Sequence, residues 1–308
     1  MPLKKTIAID LGGTNIKIAL LDHNLKIWSK SVLSTRNFFS KAGLIAQIAD
    51  SVKTVISENN LKKTEINGVG IGLPGPIDAK NGIVHFLPNI PGWKEVKLKL
   101  ILEHKIGLPV FLDNDAKLMA LAEYKKGAAK GSRNALCLTL GTGVGAGLII
   151  NGEIFRGFTN ATGEIGHLPI NEYGPKCNCG GQACLEAYIG NNAILKEAKS
   201  KFHKQISLEE LSYLANKGDK KAADIWKNVG RRLGLALSAV VNLLSPDCIV
   251  IGGGVANAGK ILFKEVKKTI LERAMRVQAR HVKILSAALG SDAGLFGAAI
   301  LVNQGVEA

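Results

Sequence analysis

The residues that could carry chemistry fall into a few short clusters. The first is Asp10-Leu11-Gly12-Gly13-Thr14-Asn15, where a carboxylate ends an apolar run beside two glycines. Backbone N–H groups at such glycines can reach phosphate oxygens with no β-carbon in the way. Thr14 and Asn15 add side-chain donors, Lys17 is counted with them on the phosphate side, and Asp10 could hold Mg2+ directly or through water. An ordinary tight hairpin would carry a similar sequence. A second turn, Gly141-Thr142-Gly143, could grip the same triphosphate. A third, Gly252-Gly253-Gly254, follows an apolar run and suits an adenine or ribose lying against backbone at Gly253 and Gly254. The stretch Gly254 to Ile261 nearly matches a P-loop, but Ile261 stands where Ser or Thr should ligate Mg2+, so that reading is rejected. A dinucleotide fingerprint is rejected too, because the Gly141 turn leads into a strand-like run instead of a helix.

Cys177-Asn178-Cys179 and Cys184 supply three thiols within eight residues, and His167 lies ten positions upstream. One His and three Cys suit a closed tetrahedral Zn2+, which keeps no open position and is therefore structural. The alternative is three buried or redox-active cysteines beside an unrelated His. Asp113-Asn114-Asp115 closes one apolar run and opens a helix-like stretch, Ala116 to Lys126. An Asp there could be a helix cap. A kinase acting on a sugar needs a carboxylate to accept the hydroxyl proton, and Asp115 is the candidate. Asn114 offers both a donor and an acceptor to a sugar hydroxyl. Glu164, near His167, and Glu186, two residues after Cys184, would be drawn to one place by a zinc-folded loop and could clamp vicinal hydroxyls. Both could instead be exposed or structural.

These clusters need elements to hold them. Ile7 to Thr14 and Leu136 to Gly143 repeat one pattern 129 positions apart: an apolar strand, a Gly/Thr turn, and a second apolar strand over Ile16 to Leu21 or Gly147 to Ile150. This predicts two equivalent hairpins in two similar halves. Between and after them the chain alternates. A helix is predicted over Lys41 to Asn59, strands over Gly68 to Gly72 and Pro109 to Leu112, and a loop at Leu73-Pro74-Gly75-Pro76. Helices follow near 190–202, 207–217 and 219–244, the last stopped by Ser245-Pro246, then a strand over Cys248 to Ile251 and a helix over Gly294 to Val302. The alternation argues for an α/β protein with two lobes.

Composition narrows the class. The chain has 308 residues, 46% of them hydrophobic, enough for substantial cores and too many for a disordered chain. Lys+Arg is 40 and Asp+Glu is 25, but the lysines are scattered in short pairs without interleaved aromatics. The charge therefore reads as a solvated surface that helps collect a polyanion such as ATP, with no nucleic-acid or membrane partner expected. No signal peptide or spanning segment stands out, so a cytoplasmic protein is expected. Five cysteines, three of them clustered, speak against a disulfide framework.

Taken together, Asp10 to Thr14, Leu73-Pro74-Gly75-Pro76-Ile77-Asp78, Asp113-Asn114-Asp115-Ala116, Glu164-Ile165-Gly166-His167 and the Cys177 to Glu186 segment resemble the ROK family. The resemblance covers nearly the whole chain. It implies an actin-like ATPase (ribonuclease H-like) fold of two lobes with an interlobe cleft, and a homodimer or homotetramer. The lobes would be 1–115 with 293–308, and 116–292. It also implies Asp115 as base, and sugar contacts from Asn114, Glu164, His167 and Glu186, with Gly75 and Asn89 as weaker ones. Two positions depart from the family pattern: Ala183 stands where Gly is usual, and Lys117 where Asn is usual. ROK repressors carry a helix-turn-helix ahead of the first phosphate motif, which here begins at Asp10, leaving no room for one. The reading is transfer of the γ-phosphoryl group of MgATP to a hexose, in the first place the 6-hydroxyl of glucose, with lobe closure excluding water. The alternatives are another hexose or N-acetylhexosamine as acceptor, and a non-catalytic sugar sensor; a nucleotide-dependent oxidoreductase stands further off.

Overall fold

The structure, a computed structural model, describes residues 4–13, 15–35, 40–87 and 92–307. Thr14 and Asn89 lie outside the described residues. The chain forms two compact units: Met1–Ala122 with Arg156–Thr162 and Ser291–Ala308, and Glu123–Phe155 with Gly163–Gly290.

The first unit is built on β1 (Lys5–Leu11), β2 (Asn15–Leu21) and β3 (Ile27–Ser34). β1 and β2 are nearly continuous apolar runs, and both are buried on two faces, as central strands are. β3 is an edge strand that leaves Trp28 and Val32 exposed, and Lys5 sets its ammonium 4.2 Å from the Trp28 ring. Helix α1 (Lys41–Glu58) starts at Ser40, whose side chain accepts the Gly43 N–H. Its Leu44, Ile48, Val52 and Val55 recur at helical spacing and are buried against the sheet side. Then come β4 (Ile66–Leu73), a short ribbon of β5 (Ile77–Asp78) and β6 (Ile83–Val84), α2 (Leu98–Ile106), β7 (Val110–Asn114) and α3 (Asp115–Lys126). The sheet order is β3-β2-β1-β4-β7, with β1, β4 and β7 parallel. Asp10, Gly72 and Asp113 lie side by side in register across those three strands, all at their carboxyl ends.

The second unit repeats the plan with β8 (Ala135–Leu140), β9 (Val144–Ile150) and β10 (Glu153–Phe155). Its helices α4 (Glu186–Ile189), α5 (Asn191–Phe202), α6 (Leu208–Asn216) and α7 (Lys220–Leu244) precede β11 (Cys248–Gly252). Helices α8 (Lys260–Arg273) and α9 (Arg276–His281) then lead to β12 (Lys283–Ser286). The order β10-β9-β8-β11-β12 is that of the first sheet, so the two sequence hairpins are the opening strands of two equivalent five-stranded sheets. Asp219 caps α7 by accepting the Ala222 N–H, and α7 buries Ile225, Trp226, Val229, Leu233 and Leu237 against α8 and the sheet. Ser245, at φ 43°, ends α7 just before Pro246.

The last helix, α10 (Ala293–Glu307), packs on β1, β4 and β7 of the first unit. A β-carbon on Gly70 of β4 would run into the Ala298 carbonyl, so this strand–helix contact requires glycine. Among the described residues no helix is long and apolar enough to cross a membrane.

Candidate active site and metal cluster

Asp10 closes β1, and the chain turns at once, with the Gly12 N–H bonded to the Asn15 carbonyl at 2.9 Å. The Asp10 side chain is 18% exposed and faces Lys17, whose Nζ lies 3.6 Å from Oδ2. Lys17 also donates to the Ser291 carbonyl. Burial raises the Asp10 pKa above the ordinary carboxylate range, Lys17 pulls it back, and Asp292 adds a further push upward. Asp292 is itself paired with Lys30 at 2.5 Å. A β-carbon on Gly294 would sit 2.7 Å from the Asp10 carboxyl carbon, so the start of α10 closes on this carboxylate only because residue 294 is glycine. One carboxylate at the mouth of a phosphate turn fits Mg2+, which keeps most of its shell for water and phosphate oxygens.

Asp113 is buried and fully engaged: Oδ1 accepts the Asn114 N–H, and Oδ2 accepts from Arg156 Nη2 at 2.6 Å. Asn114 is the cap of α3, its Oδ1 accepting the N–H groups of Ala116 and Lys117 at 3.0 and 3.2 Å. Its Nδ2 donates to the Gly75 carbonyl at 3.0 Å, which joins two of the sugar-side candidates directly. Asp115 follows as the first residue of α3, with Oδ1 accepting the Ala116 N–H at 2.8 Å. The capping duty considered for Asp115 therefore falls to Asn114. Asp10 and Asp115 come together around Gly72: a β-carbon there would lie 3.8 Å from Asp10 Oδ1 and 3.6 Å from the Asp115 α-carbon.

In the second unit, the turn Gly141–Gly143 is closed by the Gly141 N–H on the Gly143 carbonyl at 2.9 Å. Gly252 pairs with Thr139, so the Gly252–Gly254 turn leaves the sheet beside this one. Gly253 has φ 86°, and a β-carbon on it would strike the Leu140 backbone, while Gly254 faces open space. Two glycine turns at the carboxyl ends of adjacent parallel strands form the type of rim where α/β sheets bind nucleotides. Glu186 opens α4, and its Oε2 accepts the Val144 N–H at 2.8 Å, which ties it to the second glycine turn. The turn Ile165–His167 meets the same residue, since a β-carbon on Gly166 would lie 3.0 Å from the Val144 β-carbon. Val144 is thus the shared neighbour of Glu186 and of the segment carrying Glu164 and His167.

The four donor atoms of His167, Cys177, Cys179 and Cys184 all lie within 4.8 Å of one another. The Cys179 and Cys184 sulfurs are 3.8 Å apart, and Cys177 Sγ is 3.6 Å from His167 Nδ1. Tetrahedral zinc, with bonds of about 2.3 Å to sulfur and about 2.0 Å to nitrogen, calls for separations of about 3.8 and 3.5 Å. The donor set and spacing fit that ion. With Nδ1 turned to the thiols, the other nitrogen, Nε2, faces Glu164 Oε2 at 3.8 Å, the carboxylate–histidine relation that orients metal ligands. Ala183 adopts φ 57° beside Cys184 and is fully buried, so the departure from glycine does fall in a left-handed turn.

Three residues outside the sequence-based set matter here. Arg156 binds Asp113. Asn160 binds Asp78 through Nδ2 at 3.4 Å. Glu123 on α3 is fully buried, and its carboxylate accepts the N–H groups of Ala128, Ala288 and Leu289 at 2.7, 2.9 and 2.9 Å. Only a fold that joins distant segments reveals the first two; Glu123 had a visible signal, a lone acid on the apolar side of α3.

Comparison with known proteins supplies what geometry alone does not. A family model described as ROK family matches residues 6–305. The glucokinase of Halalkalibacterium halodurans is 36% identical over 97% of this chain and 94% of its own length. The crystal structure of a ROK family glucokinase from Streptomyces griseus, in complex with glucose and AMPPNP, superposes with a TM-score of 0.83 at 32% identity, covering 97% of this chain and 99% of that one. A ROK family transcriptional regulator, described as a homolog of the E. coli MLC protein, superposes with a TM-score of 0.90 at 26% identity over 99% of this chain and 79% of its own. The α/β fold is accordingly the actin-like ATPase fold with two lobes. Fold alone does not separate kinases from regulators; the residues of the site must.

Proposed function

The chain belongs to the ROK family and is an ATP-dependent sugar kinase, and from that premise we propose that it phosphorylates glucose at the 6-hydroxyl. Asp115 takes the hydroxyl proton as that oxygen attacks the γ-phosphorus of ATP, and ADP departs with the electrons of the broken P–O bond. Gly12, Gly13, Thr14, Asn15 and Lys17, with Gly141, Thr142 and Gly143, hold phosphate oxygens; Gly253 and Gly254 border the nucleoside. Asn114, Glu164, His167 and Glu186 bind sugar hydroxyls, and Gly75 and Asn89 complete that side. Mg2+ held at Asp10 would supply charge neutralisation for the triphosphate. Zinc at His167, Cys177, Cys179 and Cys184 would supply stiffness to the segment that carries Glu164 and Glu186. A homodimer or homotetramer working in the cytoplasm is the setting that the family resemblance supports.

The observation that carries this reading is the division of labour at the start of α3. Asn114 caps the helix, Asp113 is engaged by Arg156, and Asp115 opens α3 next to the Gly72 around which Asp10 also lies. A sugar sensor has no use for a second carboxylate so placed with respect to a phosphate turn. The test is ADP release with MgATP over a panel of glucose, fructose, mannose, N-acetylmannosamine and N-acetylglucosamine. Glucose should give the highest kcat/KM, by at least about tenfold, the scale of one net hydrogen bond. A higher value for another sugar would displace glucose, and sugar binding with no ADP release from any of them would favour the sensor.

A further inference from the structure

The segment Arg156–Thr162 belongs to the first unit, although the chain on either side of it belongs to the second. Very little apolar surface holds it there. Gly157, Phe158, Thr159 and Ala161 are exposed, Phe158 completely. Its backbone is bent at both ends and within, with φ 67° at Gly157, 58° at Asn160 and 88° at the following Gly163. A strap of this kind is held chiefly by polar ties, and among the described residues these include three. Arg156 binds Asp113, the Asn160 amide binds Asp78, and Lys117 donates its ammonium to the Asn160 carbonyl. Lys117 is 3% exposed, and an ammonium tolerates such burial only when it is hydrogen-bonded. Asp113 and Lys117 lie two positions either side of Asp115, so the segment carrying the base grips the strap from both flanks.

We propose that Lys117 is a positioning residue for the acceptor sugar, acting by pinning the strap Arg156–Thr162 through the Asn160 carbonyl. The proposal rests on the kinase reading above. Its direction follows from the partition of the hydrogen bonds. The strap is bonded to Asp78 and Asp113, and Asn114 is bonded to Gly75, all on the acceptor side. The phosphate-side contacts Asp10–Lys17, Lys17–Ser291 and Lys30–Asp292 share none of those bonds. Loosening the strap should therefore weaken the hold on the sugar and leave the hold on MgATP alone. The departure of residue 117 from the asparagine usual in the family makes this a feature of this chain.

The test uses Lys117→Met, which keeps the buried stem and removes the ammonium, and Lys117→Arg, which keeps a donor. For Lys117→Met the KM for glucose should rise about tenfold, the scale of a charged hydrogen bond, with the KM for MgATP and kcat within about threefold of wild type. Lys117→Arg should recover at least half of that loss on a logarithmic scale. Chymotrypsin should cut after Phe158 faster in Lys117→Met than in wild type with no sugar present, a readout independent of catalysis. Should Lys117→Met fail to fold, the same cleavage in folded Lys117→Arg must still exceed that in wild type. An unchanged glucose KM, equal losses in both KM values and kcat, or identical cleavage rates would overturn the proposal. Absence of turnover in wild type would instead strike at the kinase reading, and the cleavage comparison would still judge the strap.

Discussion

At the scale of the residue, Asp10 illustrates a carboxylate whose charge the fold disfavours. Burial raises its pKa, against the opposing pull of Lys17. A carboxylate whose folded pKa lies above its unfolded one contributes stability at pH values below the unfolded pKa, and that contribution is lost as pH rises through the folded pKa. At neutral pH, above the unfolded pKa, Asp10 is therefore a net cost to folding. Asp10→Asn should melt no lower than wild type at pH 7.5, and its advantage should shrink at acid pH, while ADP release falls at least about a hundredfold for want of the proposed Mg2+ ligand. A clear drop in Tm at pH 7.5 with activity intact would reverse both halves of the argument. Of the residues named from sequence, Asp10, Asn114, Asp115 and the cysteine cluster were legible because each pairs a reactive side chain with a local signal: a glycine turn, a strand end, a spacing. Ala183 was legible in the same way, as a left-handed position without glycine. Arg156 and Asn160 were not, because their partners Asp113 and Asp78 are 43 and 82 residues away and no local pattern encodes such pairs.

At the scale of the element, α3 carries the proposed base, Asp115, at its start and Glu123 near its end. Both carboxylate oxygens of Glu123 accept from backbone N–H groups, three in all, two of them in the segment just before Gly290–Asp292 and Gly294, which meet Lys17 and Asp10. In Glu123→Gln one carboxylate oxygen becomes an NH2 group facing a backbone donor. The buried conflict should cost about 2–4 kcal/mol, a fall of several degrees in Tm, measurable by urea or thermal unfolding. A variant as stable as wild type would mean that the site relaxes around the amide. The elements legible from sequence were those with a clear apolar run or helical spacing: strands β1, β2, β4, β7, β8, β9 and β11, and helices α1, α3, α5, α6, α7 and α10. The edge strands were not. β3 interleaves Trp28, Lys30 and Val32 on a half-exposed edge, and β12 has only four residues, so neither presents the apolar run that marked the central strands. Helix α8 repeats Leu262, Val266 and Ile270 at helical spacing, but it starts at Gly259 with no side-chain cap, so no local start signal marks it.

At the scale of the whole molecule, two sheets of one topology present glycine turns and carboxylates at the ends of their parallel strands. The sequence repeat pointed to the hairpins alone; the parallel partners β4, β7, β11 and β12 follow after helices of different length, which hides the equivalence from any fixed period. The proposed zinc cluster of His167, Cys177, Cys179 and Cys184 should be separable from the chemistry. Cys179→Ser, or exhaustive chelation, should remove one zinc per chain and weaken glucose binding at least about tenfold, the usual consequence of disturbing a structural site. Binding of MgATP should change much less, since none of its proposed contacts comes from residues 164–186. Normal metal content together with normal glucose affinity in Cys179→Ser would remove the cluster from the account.

The central claim is that Asp115 is the base of a sugar kinase, and Asp115→Asn tests it most directly. The amide keeps the size of the side chain at the start of α3. With MgATP and saturating glucose, kcat should fall by about a thousandfold, within the range general-base catalysis contributes, while the Kd for glucose by calorimetry stays within about threefold. A folded Asp115→Asn enzyme that releases ADP within tenfold of the wild-type rate would contradict the claim.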